Sequence, residues 1–225
     1  MGRKLVVWGG VGIVAVLALL VGLNSLSKAP CLQLIGDLTC RVETDNKIVA
    51  LTFDDGPHKA YTDEVVAILK RYDVPGVFFE VGRNLGTVEA DGKVSLGPMA
   101  KISRQLMEQG YAVGNHSLTH AQLSRTTGDA LRQQVLDTDT LLKDVDSKRA
   151  PLFRFPYGAR NAEGMQLLNE AGLKSIMWNI DSMDWADPVP ESIVQRVLDQ
   201  VNKEQRGIIL FHDIHDRAVK ALPQI

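Results

Sequence analysis

The stretch Leu51–Pro57 reads Leu-Thr-Phe-Asp-Asp-Gly-Pro, and it decides the fold because an apolar run ends there in two adjacent carboxylates. Residues 47–53 are mostly apolar over the length of a strand, which predicts a strand buried within a sheet. Neighbouring side chains on an extended backbone point in opposite directions, so one of Asp54 and Asp55 can bind a metal while the other accepts a proton. Taken alone, the stretch is better explained by a turn Asp followed by a helix-capping Asp.

Outward from this stretch, strand-like and helix-like segments alternate along the chain. The pattern predicts five further strands, at residues 76–81, 111–114, 152–155, 175–180 and 207–211. It predicts helices at residues 62–72, 98–109, 128–145, 161–172 and 192–201. Six strands with helices between most of them indicate an α/β fold, whose parallel sheet is either open or closed into a barrel.

Two segments depart from a regular alternation. Residues 86–97 are polar and rich in turn formers, with Asp91-Gly92 as the predicted tip of a hairpin. They either shape a substrate groove or form a tolerated surface insertion. Residues 217–225 read as the opening of a helix, so we expect the C-terminal end of the fold to be truncated, without its closing helix and strand.

The N-terminus differs from the rest of the chain. Arg3 and Lys4 precede residues 5–23, which carry no charge over 19 positions, close to the ~20 apolar residues that a membrane-spanning helix needs. We therefore predict that residues 1–24 are an uncleaved signal anchor, a transmembrane helix with its N-terminus in the cytoplasm. Residues 25–46 would be a tether, and residues 47–225 a domain on the periplasmic or cell-wall side. A cleaved signal peptide is the alternative.

The cysteines and the net charge bear on whether the domain has a disulfide and on which partners it binds. In an oxidising compartment Cys31 and Cys40 can form a disulfide worth roughly 2–3 kcal/mol, with two unpaired thiols as the alternative. A formal net charge of −2 over 225 residues gives no reason to expect nucleic acid as a partner.

Polar clusters follow the predicted strands, at the edge where catalytic residues of α/β folds gather. His116 and His120 follow the third strand, and their spacing places them on one face of a helical turn, where they could chelate one metal. That spacing also occurs on plain helix surfaces, but with Asp55 it predicts a metal site open to water. The later strands are followed by Arg154 and Tyr157, by Asp184 and Trp185, and by His212 just after Leu210.

Taken in order, these clusters resemble the five motifs of the polysaccharide deacetylases, carbohydrate esterase family 4, with its NodB-homology domain. The resemblance covers residues 47 to about 220. Its motifs are Thr52-Phe53-Asp54-Asp55-Gly56, His116-Ser117-x-x-His120, Arg154-x-Pro156-Tyr157, Asp181-x-x-Asp184-Trp185 and Leu210-x-His212.

The resemblance implies a distorted (β/α) barrel with a catalytic metal site. The metal would be divalent, usually zinc, with cobalt or nickel as alternatives, held by Asp55, His116 and His120. The resemblance also assigns roles to residues around the metal. It implies that Asp54 is the general base, oriented by Arg154, and that His212 is the general acid, tuned by Asp184. It places Trp185 and Leu210 around the acetyl methyl group, and the backbone N–H of Tyr157 at the oxyanion.

The activity that the resemblance implies is hydrolytic removal of N-acetyl groups from an N-acetylhexosamine polymer, with release of acetate. Peptidoglycan, chitin oligomers and poly-N-acetylglucosamine all suit this chemistry. Two alternatives remain: an esterase that removes O-acetyl groups from xylan-like polymers, and a non-catalytic glycan-binding protein of the same fold.

Overall fold

The structure, a computed structural model, describes residues 38–41 and 44–225. The predicted signal anchor over residues 1–24, much of the tether and Cys31 lie outside the described residues, so the anchor and the disulfide stay predictions. Among the helices that are described, none is long and apolar enough to cross a membrane.

The described residues contain a large sheet, a separate hairpin and the helices that cover them. The strands are β1 (Leu38–Thr39), β2 (Val49–Asp54), β3 (Gly76–Glu80), β4 (Gly86–Val88), β5 (Val94–Leu96), β6 (Ala112–Asn115), β7 (Leu152–Phe153), β8 (Lys174–Ile176), β9 (Ile180–Asp181) and β10 (Gly207–His212). The helices are α1 (Tyr61–Tyr72), α2 (Gly82–Leu85), α3 (Ala100–Glu108), α4 (Gly128–Val145), α5 (Ala162–Glu170), α6 (Pro190–Glu204) and α7 (Asp216–Ala221). Short 3₁₀ turns lie at Leu123–Arg125, Pro156–Gly158 and Leu222–Gln224.

The large sheet is parallel and strongly curled. Its strand order is β1-β8-β7-β6-β3-β2-β10-β9, with every neighbouring pair parallel. Strand β8 is second and strand β9 is last in this order, although only residues 177–179 connect them. The four Cα–Cα steps from Ile176 to Ile180 span at most about 14 Å, so the sheet must curl until its two ends approach each other. This curled half-barrel agrees with the predicted distorted (β/α) barrel.

The predicted strand at residues 175–180 is wrong as a single element. Its first half pairs with β7 in β8, whereas its second half pairs with β10 in β9. Between them, the N–H of Met177 donates to the carbonyl of Thr39, and the N–H of Asn179 donates to the carbonyl of Ile208. Both halves are largely apolar, so the hydrophobic pattern carried no sign of the break. Strand β1, inside the predicted tether, was also missed because two residues give no periodic signal.

An aromatic stack fixes the register of the central strands. The ring of Phe53 lies 5.1 Å from that of Phe78 and 6.0 Å from that of Phe211, measured between centroids. These three residues occupy matching positions on β3, β2 and β10, and all are buried. The same register sets His212 opposite Asp54. Packing in the core therefore determines which polar side chains meet at the carboxyl edge of the sheet.

The hairpin of residues 86–96 packs on the core. Strands β4 and β5 are antiparallel, with Asp91-Gly92 in the connection between them, which confirms the predicted tip. Val88, Val94 and Leu96 are partly buried against the main hydrophobic cluster. The hairpin therefore contacts the core through aliphatic side chains of both its strands.

We expect the hairpin to contribute to stability. Replacing residues 86–97 with a short loop removes three partly buried aliphatic side chains, so it should lower the free energy of unfolding by about 2–4 kcal/mol. Urea unfolding followed by circular dichroism measures this. The exposed Thr87 provides a control, because Thr87→Ala should leave the unfolding midpoint unchanged. A shortened protein as stable as the wild type would contradict a structural role.

Candidate active site

Asp54 and Asp55 lie where β2 ends, and the backbone changes course between them. Asp54 is 3% exposed, and its Oδ1 lies 2.7 Å from Nη1 of Arg154. Asp55 has a φ of 75°, in the left-handed region. Its Oδ1 lies 3.2 Å from Nε2 of His120 and 3.5 Å from Nε2 of His116. The two acids therefore have different environments, as the sequence predicts.

The side chains of Asp55, His116 and His120 form a group that fits a divalent metal ion. One ligand atom from each lies within 4.8 Å of the others. Asp55 Oδ1 is buried and has no hydrogen-bond partner among the described residues. The Nδ1 of His116 lies 2.8 Å from the carbonyl oxygen of Arg154, which can only accept, so the proton belongs on Nδ1 and the lone pair on Nε2. Burial lowers the pKa of His116 to about 3, which keeps the ring neutral.

The two histidines are close together, but the predicted helical turn is wrong. Residues 116–120 form a loop in which Ser117 and His120 have φ values of 65° and 60°. The N–H of Ser117 donates to Oδ1 of Asn115, and the N–H of His120 donates to Oγ of Ser117. These side-chain acceptors replace the bonds of a helix. The imidazole centroids nevertheless lie 5.0 Å apart, so the spacing identified the correct pair.

Arg154 is fully buried, and all three nitrogens of its guanidinium donate hydrogen bonds. Its Nη1 donates to Asp54 and to Oγ1 of Thr52, both at 2.7 Å. Its Nε donates to the carbonyl of Ile176 at 3.1 Å, and its Nη2 to that of Met177 at 3.0 Å. Burial raises the pKa of Asp54 above its usual range, although the charge of Arg154 opposes that shift. Asp54 is thus a fixed carboxylate with an increased affinity for protons.

His212 is paired with the buried acid Asp184. The Nδ1 of His212 lies 2.7 Å from Asp184 Oδ1, and its backbone N–H donates to Oδ2 at 2.8 Å. Ser182 Oγ also donates to Oδ1, at 3.0 Å. Arg217, on α7, donates to the backbone carbonyls of Asp184 and Trp185. Burial acts to lower the pKa of His212, but the hydrogen bond and charge of Asp184 outweigh it and raise that pKa to about 9.

Three residues predicted to contact substrate differ in accessibility. Tyr157 has a left-handed φ of 58° and a side chain that is 64% exposed, with its hydroxyl 3.1 Å from Nδ1 of His120. Trp185 is also largely exposed. Leu210 is buried in a small cluster with Ile208, so little of its side chain is accessible.

Sequence reasoning missed three polar residues near this edge of the sheet: Glu80, Asn84 and Asp213. Asp213 is buried, accepts a hydrogen bond from Thr62, and has its pKa raised by burial to about 7. An acid directly after His212 was the available signal for Asp213, and an acid within an apolar strand was the signal for Glu80. For Asn84, whose partners lie elsewhere along the chain, no local signal exists.

Burial of Glu80 predicts that the stability of the fold depends on pH. Its carboxylate is buried and has no hydrogen-bond partner in the described part of the chain, since Ser103 nearby does not reach bonding geometry. Burial raises its pKa from 4.5 to about 8. As pH rises, the unfolded chain loses this proton at a lower pH than the folded chain does. The free energy of unfolding should therefore fall between the two pKa values, 4.5 and about 8.

We expect Glu80→Gln to weaken this pH dependence. The amide cannot ionise, so the variant should be more stable than the wild type at pH 8.5 and should lose that advantage at pH 5. Urea midpoints at the two pH values test this. Glu89→Gln, at an exposed position of the hairpin, is the matched control. Parallel pH profiles for Glu80→Gln and wild type would show that Glu80 titrates alike in the folded and unfolded chains.

Comparison with known proteins identifies the family. The family profile described as Polysaccharide deacetylase matches residues 41–176. A chitooligosaccharide deacetylase of Azorhizobium caulinodans is 30% identical over 174 residues, 77% of this chain and 77% of that protein. A peptidoglycan-N-acetylglucosamine deacetylase of Bacillus cereus is 32% identical over 184 residues, 81% of this chain and 80% of that protein.

The fold is shared with a solved structure of BA3943 from Bacillus anthracis, described as a pseudoenzyme of carbohydrate esterase family 4. The TM-score is 0.72 at 25% identity, over 84% of this chain and 63% of that one. The curled α/β half-barrel and the profile match together define a carbohydrate esterase fold. This chain belongs to the polysaccharide deacetylase family, which confirms the resemblance seen in its motifs. Because a pseudoenzyme has the same fold, activity has to be argued from the site.

Proposed function

We propose that the protein is a metal-dependent hydrolase that removes N-acetyl groups from N-acetylhexosamine residues of a polysaccharide. The observation that carries the proposal is that one ligand atom from each of Asp55, His116 and His120 lies within 4.8 Å of the others. Two further pairs, Asp54 with Arg154 and His212 with Asp184, supply a proton acceptor and a proton donor near these atoms.

We propose zinc as the metal, held by Asp55, His116 and His120, since two imidazoles and a carboxylate are a common ligand set of catalytic zinc sites. Cobalt and nickel remain alternatives. When bound there, the metal would lower the pKa of a water molecule and polarise the amide carbonyl. Asp55 Oδ1 is buried and has no hydrogen-bond partner in the part of the chain that the structure describes, which is consistent with a cation at this position.

The protein's own residues would move the protons of the reaction. Asp54, held by Arg154, takes a proton from the attacking water as the new C–O bond forms. His212, charged because of Asp184, gives its proton to the sugar nitrogen as the C–N bond breaks. The products are acetate and a glycan with a free amine, and the two side chains then exchange the proton back through solvent.

The residues around the acyl group would bind it rather than exchange protons. We propose that the backbone N–H of Tyr157, in its left-handed conformation, helps to hold the oxyanion. Trp185 and Leu210 would enclose the acetyl methyl group, with Trp185 as the exposed wall and Leu210 as the floor.

The polymer and its location are also proposals. Relatives named as peptidoglycan-N-acetylglucosamine and chitooligosaccharide deacetylases favour a polymer that contains N-acetylglucosamine as substrate. The uncharged residues 5–23 favour a membrane anchor, with the folded domain on the periplasmic or cell-wall side.

The decisive experiment measures acetate release by the purified full chain. N-acetylglucosamine oligomers, peptidoglycan and acetylxylan are each tested after metal removal with a chelator and again after zinc addition. Release from the first two that disappears and returns with zinc supports the proposal. Release from acetylxylan alone would indicate the O-acetyl esterase, and glycan binding without any release by zinc-loaded protein would indicate a non-catalytic relative.

Two substitutions distinguish the proposed role of Asp54 as base from the proposed role of His116 as metal ligand. Asp54→Asn should lower kcat by about 10²–10⁴-fold while zinc content stays at the wild-type level. His116→Ala should lose both zinc and activity. Acetate assays combined with metal analysis measure the two effects. An Asp54→Asn protein with normal turnover would contradict the base assignment.

The pH dependence of kcat/KM tests the assignment of His212 as the general acid. Since the pKa of His212 is raised to about 9, kcat/KM should decline above that pH as the proton is lost. Asp184→Asn removes the charge that raises this pKa, so the decline should begin at a lower pH and the maximum should fall. Asp199→Asn, on the exposed side of α6, is the control and should leave the profile unchanged. An alkaline limb that stays in place in Asp184→Asn would rule out His212 as the titrating acid.

A further inference from the structure

The carboxylate of Asp55 depends on an unusual backbone. A residue other than glycine is strained at a φ of 75°, so the neighbouring structure must hold Asp55 in place. The N–H of Asp55 donates to the carbonyl of Phe79, which continues the pairing with β3. The left-handed turn takes the carbonyls of Asp55 and Gly56 out of regular pairing, and these partly buried groups need donors from elsewhere.

Asn84 on α2 supplies donors to both carbonyls. Its Nδ2 lies 3.1 Å from the carbonyl oxygen of Asp55 and 3.2 Å from that of Gly56. Both partners can only accept, so the amide must present its nitrogen to them, and its two hydrogens serve two successive carbonyls. The N–H of Val81 gives Gly56 a second bond, at 2.9 Å. The carbonyl of Asp55 has no second donor of this kind in the described chain.

The same short helix holds the histidine loop. The N–H of Gly82 donates to the carbonyl of Ser117 at 3.0 Å, and the N–H of Arg83 donates to that of Leu118 at 2.8 Å. A Cβ at Gly82 would lie 2.4 Å from Oγ1 of Thr138 on α4 and 3.0 Å from Cδ1 of Leu118 in the loop, so glycine suits this close packing. Helix α2 therefore bonds to both segments that carry the candidate metal ligands.

We propose that Asn84 is a positioning residue for the metal ligand Asp55. Its amide holds the left-handed turn that directs the Asp55 carboxylate at His116 and His120. Without the amide, the turn can relax towards an ordinary backbone and carry the carboxylate away from the two imidazoles. The inference rests on the proposed metal site, but it concerns metal affinity and not the identity of the glycan.

Zinc binding tests this role. Asn84→Ala should raise the zinc Kd by about 10–100-fold, the usual effect of removing a residue that orients a ligand. Asn84→Asp, of nearly the same shape, should bind at least as weakly, because its carboxylate faces two carbonyl oxygens without a donor. Asn84→Gln keeps the donors and should recover part of the affinity. Asn202→Ala, at an exposed position on α6, is the matched control.

The measurements are made on the full chain by competition with a chromogenic chelator, together with the visible spectrum of the Co²⁺-loaded protein and melting of the metal-free protein. The expected result is a weaker zinc Kd and an altered Co²⁺ spectrum in Asn84→Ala and Asn84→Asp, with zinc-induced stabilisation reduced. Equal zinc Kd values and equal spectra in wild type and both variants would overturn the role of Asn84, even if metal-free melting changed. A wild-type protein that binds neither metal would overturn the metal site itself.

Discussion

The guanidinium of Arg154 connects parts of the chain that are otherwise far apart. It lies fully buried and paired with Asp54, and its Cζ lies 4.2 Å from the centroid of the Phe79 ring. It also donates to the carbonyls of Ile176 and Met177, where the chain leaves one end of the sheet for the other. Its own carbonyl accepts from His116. One residue thus holds the candidate base, orients a candidate metal ligand and joins the two ends of the curled sheet.

A charge so deeply buried is tolerated only because every direction around it is satisfied. Breaking a buried ion pair on one side typically costs about 3–5 kcal/mol, since the remaining charge is left uncompensated. The ion pair of Arg154 and Asp54 is therefore needed for the stability of the fold, apart from any role in the reaction. This explains why the strand that ends in Asp54 must keep its register with β10 and β3, which the stacked rings of Phe53, Phe78 and Phe211 enforce.

Much of the fold and most of the site could be predicted from the sequence, because both depend on where buried strands end. The central strands were identified as continuous apolar runs, and the polar residues after them were placed at one edge of a parallel sheet. The structure brings together Asp55 with the two histidines, Asp54 with Arg154, and His212 with Asp184. The group of Asp55 and the two histidines was predicted from where the strands end, whereas the other two pairs were implied by the resemblance to the family.

The errors and omissions have a common physical origin in bonds between distant segments. The break in the strand at residues 175–180 depends on partners in β7 and β10, which no local pattern shows. The loop that holds His116 and His120 is shaped by side-chain acceptors that replace a helix. Asn84 acts on Asp55 from the next strand connection, across 29 residues of chain.

The bonds from Arg217 have a consequence for how this chain should be compared with its relatives. Arg217 belongs to a helix that contains none of the five motifs, yet it fixes the backbone of Asp184 and Trp185. The acid that charges His212 is therefore held from outside the motifs. Two chains with identical motifs but different helices after β10 can hold the same histidine at different proton affinities, so motif identity alone does not define the working pH of the enzyme.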